Sequence, residues 1–171
     1  MVAEKIRKIL LKLKYGKRLV GNSFSLRKTS DIKISDKGKI TLGKVLLNNN
    51  VFLCASDCGN IVIEDGVSIN RNTVIVSKGS VFIGSGTSIG PNVCIYDHDH
   101  VVTKDGFLKN GFNTGSVTIG KNVWIAAGVI ILKGSVIGDN CVIGAGTLIK
   151  GTVANNSMVY SRRTLHTENL R

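Results

Sequence analysis

The sequence predicts an all-β fold: a parallel β-solenoid led by a short helix and interrupted by one protruding loop. Three observations predict it. Isoleucine recurs at Ile119, Ile125, Ile131, Ile137, Ile143 and Ile149, always six residues apart. The chain holds 20 Gly but 1 Pro, so its many turns fall to Gly, Asn and Asp. Aromatics are 5% of residues against 43% hydrophobic, which leaves an aliphatic, β-branched core. A helix repeats about every 3.6 residues and a strand about every 2. A sustained period of six fits neither alone, but suits a short strand plus a corner, repeated.

Residues 2–19 read as a helix, with Ile6, Ile9, Leu10 and Leu13 on one stripe and lysines elsewhere. Gly16 and Gly21 end it. Residues 1–18 carry Lys5, Arg7, Lys8, Lys12, Lys14, Lys17 and Arg18 against Glu4. Such a segment can cap the open end of a solenoid, contact an anionic membrane surface, or do both.

The organisation expected is a basic helix and lead-in over 1–30, a repeat domain over 31–160, and a basic tail over 161–171. The rhythm starts at Ile32, Ile34 and Ile40, loosens through Leu46, Val51 and Cys54, and tightens at Ile63, Ile69 and Ile75. It slips by two at Lys78–Gly79 and resumes at Ile83, Ile89 and Ile95. A break follows over 97–117, and then the six-isoleucine run.

Units such as "IGSGTS", "IGPNVC", "IGKNVW" and "IGAGTL" share an inward Ile followed by a Gly-x-Asn/Gly corner, where positive φ must be tolerated. Three units close a triangular coil of eighteen residues, and roughly six coils fit between 32 and 160. Coils would stack through parallel pairing about 4.8 Å apart.

The net charge of +12 favours anionic partners, but nine aromatics and a fold without a groove reader argue against nucleic acid. Cys54, Cys58, Cys94 and Cys141 form no CxxC pair and read as buried small hydrophobes rather than disulfide or zinc ligands. Lysines interrupt the apolar positions at the start, so no signal peptide is read, and no stretch approaches a membrane span. The expected setting is cytoplasmic, with contact at the inner membrane face through residues 2–19 as the alternative to a helix that only caps.

The break at 97–117 is where chemistry is expected, because a solenoid propagates until an interruption has a use. It begins "YDHDH". On an extended segment His98 and His100 share one side and Asp97 and Asp99 the other. A neutral imidazole, with a free pKa of about 6.5, suits a general base. A neighbouring carboxylate can fix its tautomer. A metal site would need a third ligand, and the remaining histidine, His166, lies in the basic tail. No metal is expected.

The stretch "IGKNVWIAAGVIILKGSVIGDNCVIGAGTLIKG", with "GPNVCIYDHDH" upstream, resembles the hexapeptide-repeat acetyltransferases, nearest the galactoside and maltose O-acetyltransferases and the capsular or exopolysaccharide O-acetyltransferases. The resemblance covers about residues 30–160 and implies a left-handed parallel β-helix, against the right-handed rule for crossovers in general. It implies acetyl-CoA as co-substrate, a sugar hydroxyl as acceptor in surface-polysaccharide biosynthesis, and a homotrimer with active sites between subunits. It places the essential histidine, at the end of I-Y-x-x-x-H, at His100. Asp97 or His98 would support it, His98 on the substrate side.

Counting back one coil puts the acceptor-binding asparagine of the family at Asn70, with Asn72 as neighbour. Trp124 corresponds to an aromatic beside the active site and the CoA arm, and cannot point into a narrow aliphatic prism. Ala126, Ala127, Gly144 and Ala145 would let pantetheine lie along the coils, and Lys150, Arg162 and Arg163 would meet nucleotide phosphates. Main-chain N–H groups would hold the oxyanion. The chain departs from the family where Lys150-Gly151-Thr152 replaces Thr-Lys-Asp and Tyr160-Ser161-Arg162-Arg163 replaces Gly-Asn-Pro-Ala. Alternatives on this fold are N-acetylation of an amino sugar or nucleotide sugar, serine acetylation, and a carbonic-anhydrase-like metalloenzyme.

Overall fold

The computed structural model describes residues 2–21, 23–162 and 167; Arg163 and His166 lie outside them. The hexads become coils of three short strands on three faces. The fifth coil, for example, runs Val117–Ile119, Trp124–Ile125 and Ile130–Ile131. Strands of successive coils pair in parallel, seven on the first face, seven on the second and six on the third. The result is six coils and two sides of a seventh, wound as a left-handed β-helix.

Register turns the periodic isoleucines into three inward columns. On the first face Ile63, Ile83, Ile119 and Ile137 stand in line. The second face aligns Ile69, Ile89, Ile125 and Ile143, and the third Ile75, Ile95, Ile131 and Ile149. All are buried. The coils close at corners where Asn, Gly or, in Asp36 and Asp57, Asp takes positive φ, and corner asparagines hydrogen-bond counterparts in the next coil. Asn50 Nδ2 donates to Asn72 Oδ1 at 3.1 Å, and Asn140 Nδ2 to Asn156 Oδ1 at 3.1 Å.

The solenoid begins earlier than its rhythm. The lead-in assigned to residues before 31 is already a coil, with Leu19 paired to Ile40 and Leu26 to Leu47. The early coils are also longer than eighteen. Leu42 lies on Ile63, twenty-one residues on, whereas Ile119 lies on Ile137, eighteen on. Strands of four residues on the first and third faces carry inward pairs such as Ile40 with Leu42 and Leu53 with Ala55, which masks the hexad period.

The helix runs Val2–Tyr15, followed by a 3-10 turn over Gly16–Arg18. It caps the open end, with its apolar stripe turned away from the coils. Its polar face docks instead. The outer edge of the first coil presents unpaired backbone groups, not apolar side chains, so hydrogen-bonding groups are what fit there. Glu4 accepts from Leu26 N–H at 2.9 Å, Lys8 donates to the Phe24 carbonyl at 2.7 Å, and Tyr15 Oη donates to the Ile32 carbonyl at 3.0 Å. Arg7 donates to the carbonyls of Arg27, Lys28 and Ser30. Leu11 and Tyr15 add the apolar contact.

Of the four cysteines, all free, Cys141 alone is buried. Cys58 is exposed, while Cys54 and Cys94 are half-buried at outward strand positions, so the small-hydrophobe reading holds for Cys141 only. Burial still pushes the Cys54 thiol up, Lys33 and Lys78 opposing it.

The inward isoleucine columns should tolerate truncation poorly. Ile95→Ala removes a fully buried side chain between two others and should cost about 2–5 kcal/mol in chemical unfolding.

Candidate active site

The break over 97–117 is an ordered antiparallel hairpin, His98–Thr103 with Gly106–Thr114, set on the edge between the third and first faces. What roots it is visible in one inward column of the third face. Ile34 lies on Ala55 and Ala55 on Ser77; above Ser77 comes Asp97. The core thus narrows, turns polar and ends in a carboxylate that is 0% exposed.

Asp97 is fully engaged. Its carboxylate accepts from Ser77 Oγ at 2.6 Å, Lys78 N–H at 2.9 Å, Gly79 N–H at 2.9 Å and His98 Nδ1 at 3.0 Å. Buried carboxylates need this many donors. The arrangement explains the two-residue slip at Lys78–Gly79, because the corner there wraps the carboxylate. A carboxylate accepts only, so His98 Nδ1 is the protonated nitrogen. The half-buried His98 ring lies edge-on to Tyr96 and Phe112, with centroids 6.4 and 5.5 Å away. Burial, and then Cys94 beside it, push the Tyr96 phenol up, so it stays protonated as a neighbour of His98.

His100 stands on the same side of the hairpin, its ring 4.7 Å from Phe112 and 5.3 Å from Phe107. It is exposed, and Nδ1 lies 3.3 Å from the Leu108 carbonyl. A carbonyl only accepts, so Nδ1 is the donor, and Nε2 is left for another partner. Asp99 faces the other way and pairs with Lys133 at 3.2 Å. His98 and His100 therefore share one side, both against Phe112, but Asp97 is an inward residue that orients His98 and does not touch His100. Phe112, Ser77 and Lys78 were not singled out from sequence. The signal available for Ser77 was its polar side chain at an inward position.

The other candidates sit elsewhere on the prism. Asn70 and Asn72 lie at the edge between the second and third faces, at the far end of a strand from the histidines. Asn70 Oδ1 accepts from Arg71 N–H at 2.8 Å, and Asn72, with φ of 60°, belongs to the corner ladder. Ala126 and Ala127 occupy that same edge two coils further on, and Gly144 and Ala145 three, where Gly128 and Gly146 replace the corner asparagines and leave a smooth strip. Trp124 faces outward, 56% exposed, in line with Val142 and Met158 on the second face. Tyr160 lies over Gly144, where a Cβ would come within 2.7 Å of it. Lys150 is exposed at the third–first edge and Arg162 is exposed beyond the last coil. A single chain therefore keeps the histidines on one edge and the Trp124–Ala127–Ala145 strip on another. Among the described residues, no three His, Cys, Asp or Glu side chains converge as metal ligands.

Comparison with known proteins agrees with this architecture. The family "Bacterial transferase hexapeptide (six repeats)" matches residues 116–151. An Escherichia coli protein named for lipopolysaccharide biosynthesis O-acetyl transfer is 30% identical over 136 residues, covering 74% of this chain and 69% of that protein. A galactoside O-acetyltransferase of Lactococcus lactis is 36% identical over 101 residues, covering 59% of this chain and 49% of its own. This match, like several others to curated relatives, thus spans about half of the relative's length. Among solved structures, an N-acyltransferase from Bacillus cereus in complex with dTDP and coenzyme A superposes with a TM-score of 0.74 at 20% identity, over 90% of this chain and 84% of that one, a likeness of fold.

The two acids of "DHDH" should behave differently. Asp97→Ala strands two backbone N–H groups and a hydroxyl in a dry corner and should lower stability by roughly 3 kcal/mol or more. Asp99→Ala breaks a solvent-exposed pair and should cost less than about 1 kcal/mol. Urea unfolding of both variants measures the contrast.

Proposed function

Because the chain belongs to the hexapeptide-repeat acyltransferases, we propose that it is an acetyl-CoA-dependent O-acetyltransferase acting on a sugar hydroxyl in surface-polysaccharide biosynthesis. The observation that carries this reading is the presentation of His100: exposed, braced by two phenylalanines, and hydrogen-bonded so that Nε2 is the free acceptor. The names of the relatives supply the acceptor class, a galactoside in one and lipopolysaccharide in another.

In this mechanism His100 Nε2 takes the proton of the acceptor hydroxyl as its oxygen attacks the thioester carbonyl. The new C–O bond forms, the C–S bond breaks, and the imidazolium returns its proton to the departing thiolate. Such a base is worth about 10²–10⁴-fold. Asp97 and His98 act through position, by anchoring the hairpin that carries His100.

The second–third edge fits a thin pantetheine arm. The strip of Ala127, Gly128, Ala145 and Gly146 has no side chain beyond a methyl, and the outward Trp124, Val142 and Met158 line its approach. Ala126 N–H is committed to the Ile143 carbonyl, which leaves Ala127 N–H as the main-chain donor to a developing oxyanion. Lys150 and Arg162 are accessible to phosphates, with Arg163 beyond the described residues.

Since the histidines and this strip lie on different edges, the site is completed by a second copy: the hairpin of one subunit meets the strip of the next, in a homotrimer. Asn70, on the strip's own edge, would then face the partner's hairpin and the acceptor. The outward column Phe52, Val74, Cys94, Ile130 and Leu148 on the third face supplies an apolar surface for the assembly. The setting that goes with this reading is the cytoplasm.

One further reading has a specific observation behind it. The Bacillus cereus N-acyltransferase is also known in complex with dTDP-4-amino-4,6-dideoxyglucose and coenzyme A, so an amino group on a nucleotide sugar is the second acceptor class. An acyl-transfer screen with acetyl-CoA and a panel of saccharides, nucleotide amino sugars and serine separates the readings. His100→Ala should lose about 10²–10⁴-fold in turnover on the best acceptor, and His98→Ala distinctly less. Full activity in His100→Ala would move the base elsewhere. Light scattering should return three chains per particle, and an active monomer would overturn the shared site.

A further inference from the structure

The helix is amphipathic the wrong way round for a cap. Its polar side, Glu4, Arg7 and Lys8, is turned to the solenoid and consumed by backbone groups. Its apolar side is turned out: Val2 is 73% exposed, Ile6 51%, Ile9 58%, Leu10 58% and Leu13 78%. These five fall on one stripe at i, i+4, i+7, i+8 and i+11, a continuous apolar face on a 14-residue helix.

The charges around that face identify what covers it. Lys5 and Lys12 border it on one flank, Lys14 on the other, and Lys17 follows in the next turn. Glu4, the one acid among residues 1–18, is withdrawn into the cap. Arg27 and Lys28 are exposed on the coil beside it. An apolar strip rimmed by cations alone matches the boundary of an anionic bilayer, acyl chains below and phosphates at the rim. A second copy of the same face would set these lysines against their own kind.

We propose that this face lies in the plane of an anionic membrane surface, with Val2, Ile6, Ile9, Leu10 and Leu13 among the acyl chains and Lys5, Lys14 and Lys17 at the headgroups. The division of labour between two faces lets one helix close the solenoid and bind lipid at once. No helix among the described residues is long and apolar enough to cross a membrane, so the contact is peripheral. The hairpin leaves the fourth coil, three coil spacings or about 14 Å above the first, which keeps it clear of the lipid.

The test uses the full chain with vesicles of phosphatidylcholine, with and without phosphatidylglycerol. It reads lipid binding and not turnover, so its outcome is separate from that of the acyl-transfer screen. The wild-type chain should co-sediment with the anionic vesicles and weaken as salt rises. Ile6→Ser/Leu10→Ser/Leu13→Ser should lose at least about tenfold in binding. Lys5→Ser/Lys17→Ser should weaken anionic binding by roughly fivefold per lysine and flatten its salt dependence. Both variants should unfold at the wild-type temperature, whereas Arg7→Ala, which strips the cap, should unfold earlier. Equal binding to both vesicle types, or apolar-face variants that bind as well as wild type, would overturn the proposal. So would a fall in unfolding temperature or in particle mass for the Ser variants, which would mean that protein already covers the face.

Discussion

Parallel pairing in strict register forces like residues to stack on like, and here it stacks isoleucine on isoleucine along three faces. The prism that results has an interior one side chain deep per face. β-branched chains fill it without voids, and their stiffness suits a pleated surface where each neighbour is identical. Nothing larger than an isoleucine has a place at these positions in the later coils. Every chemical group therefore has to be carried outside, at the corners, on the outer sides of strands, or on something that departs from the coil.

A charged exception to the largely aliphatic interior makes the departure possible. Where the column Ile34, Ala55, Ser77 reaches Asp97, a buried carboxylate gathers two backbone N–H groups, a hydroxyl and a histidine. Chain that would have continued into the next strand is instead turned out as a hairpin, and returns through Gly115, whose N–H donates to the Asp97 carbonyl at 2.7 Å. The fifth coil then resumes in register, Val117 on Val81. The same logic governs the other end, where edge backbone groups select the polar side of the helix and leave its apolar side to the surroundings.

Much of this was legible in the sequence because period and direction are local properties. The six-residue spacing, the Gly and Asn corners, the outward Trp124 and the alternation of His98, Asp99 and His100 all follow from chain geometry within a few residues. The early coils were less legible because four-residue strands put two inward residues in each unit and blur the period. The role of Asp97 was misplaced because its partners, Ser77 through Gly79, are a whole coil away. The helix was legible as amphipathic, but amphipathicity says only that a helix has two faces, and the target decides which one docks.

The sequence by itself determined a solenoid of aliphatic hexads, a basic helix before it, and a break marked by two histidines. Each of those signals repeats or alternates along the chain, so no knowledge of distant contacts was needed to see it. Tertiary structure alone decided which histidine a buried carboxylate holds, which edge each candidate residue occupies, and which side of the helix meets solvent. Those are properties of register between coils, and register depends on how many residues each coil takes to close. On the first face of this chain that number falls from twenty-one to twenty before the hairpin, and from eighteen to sixteen after it.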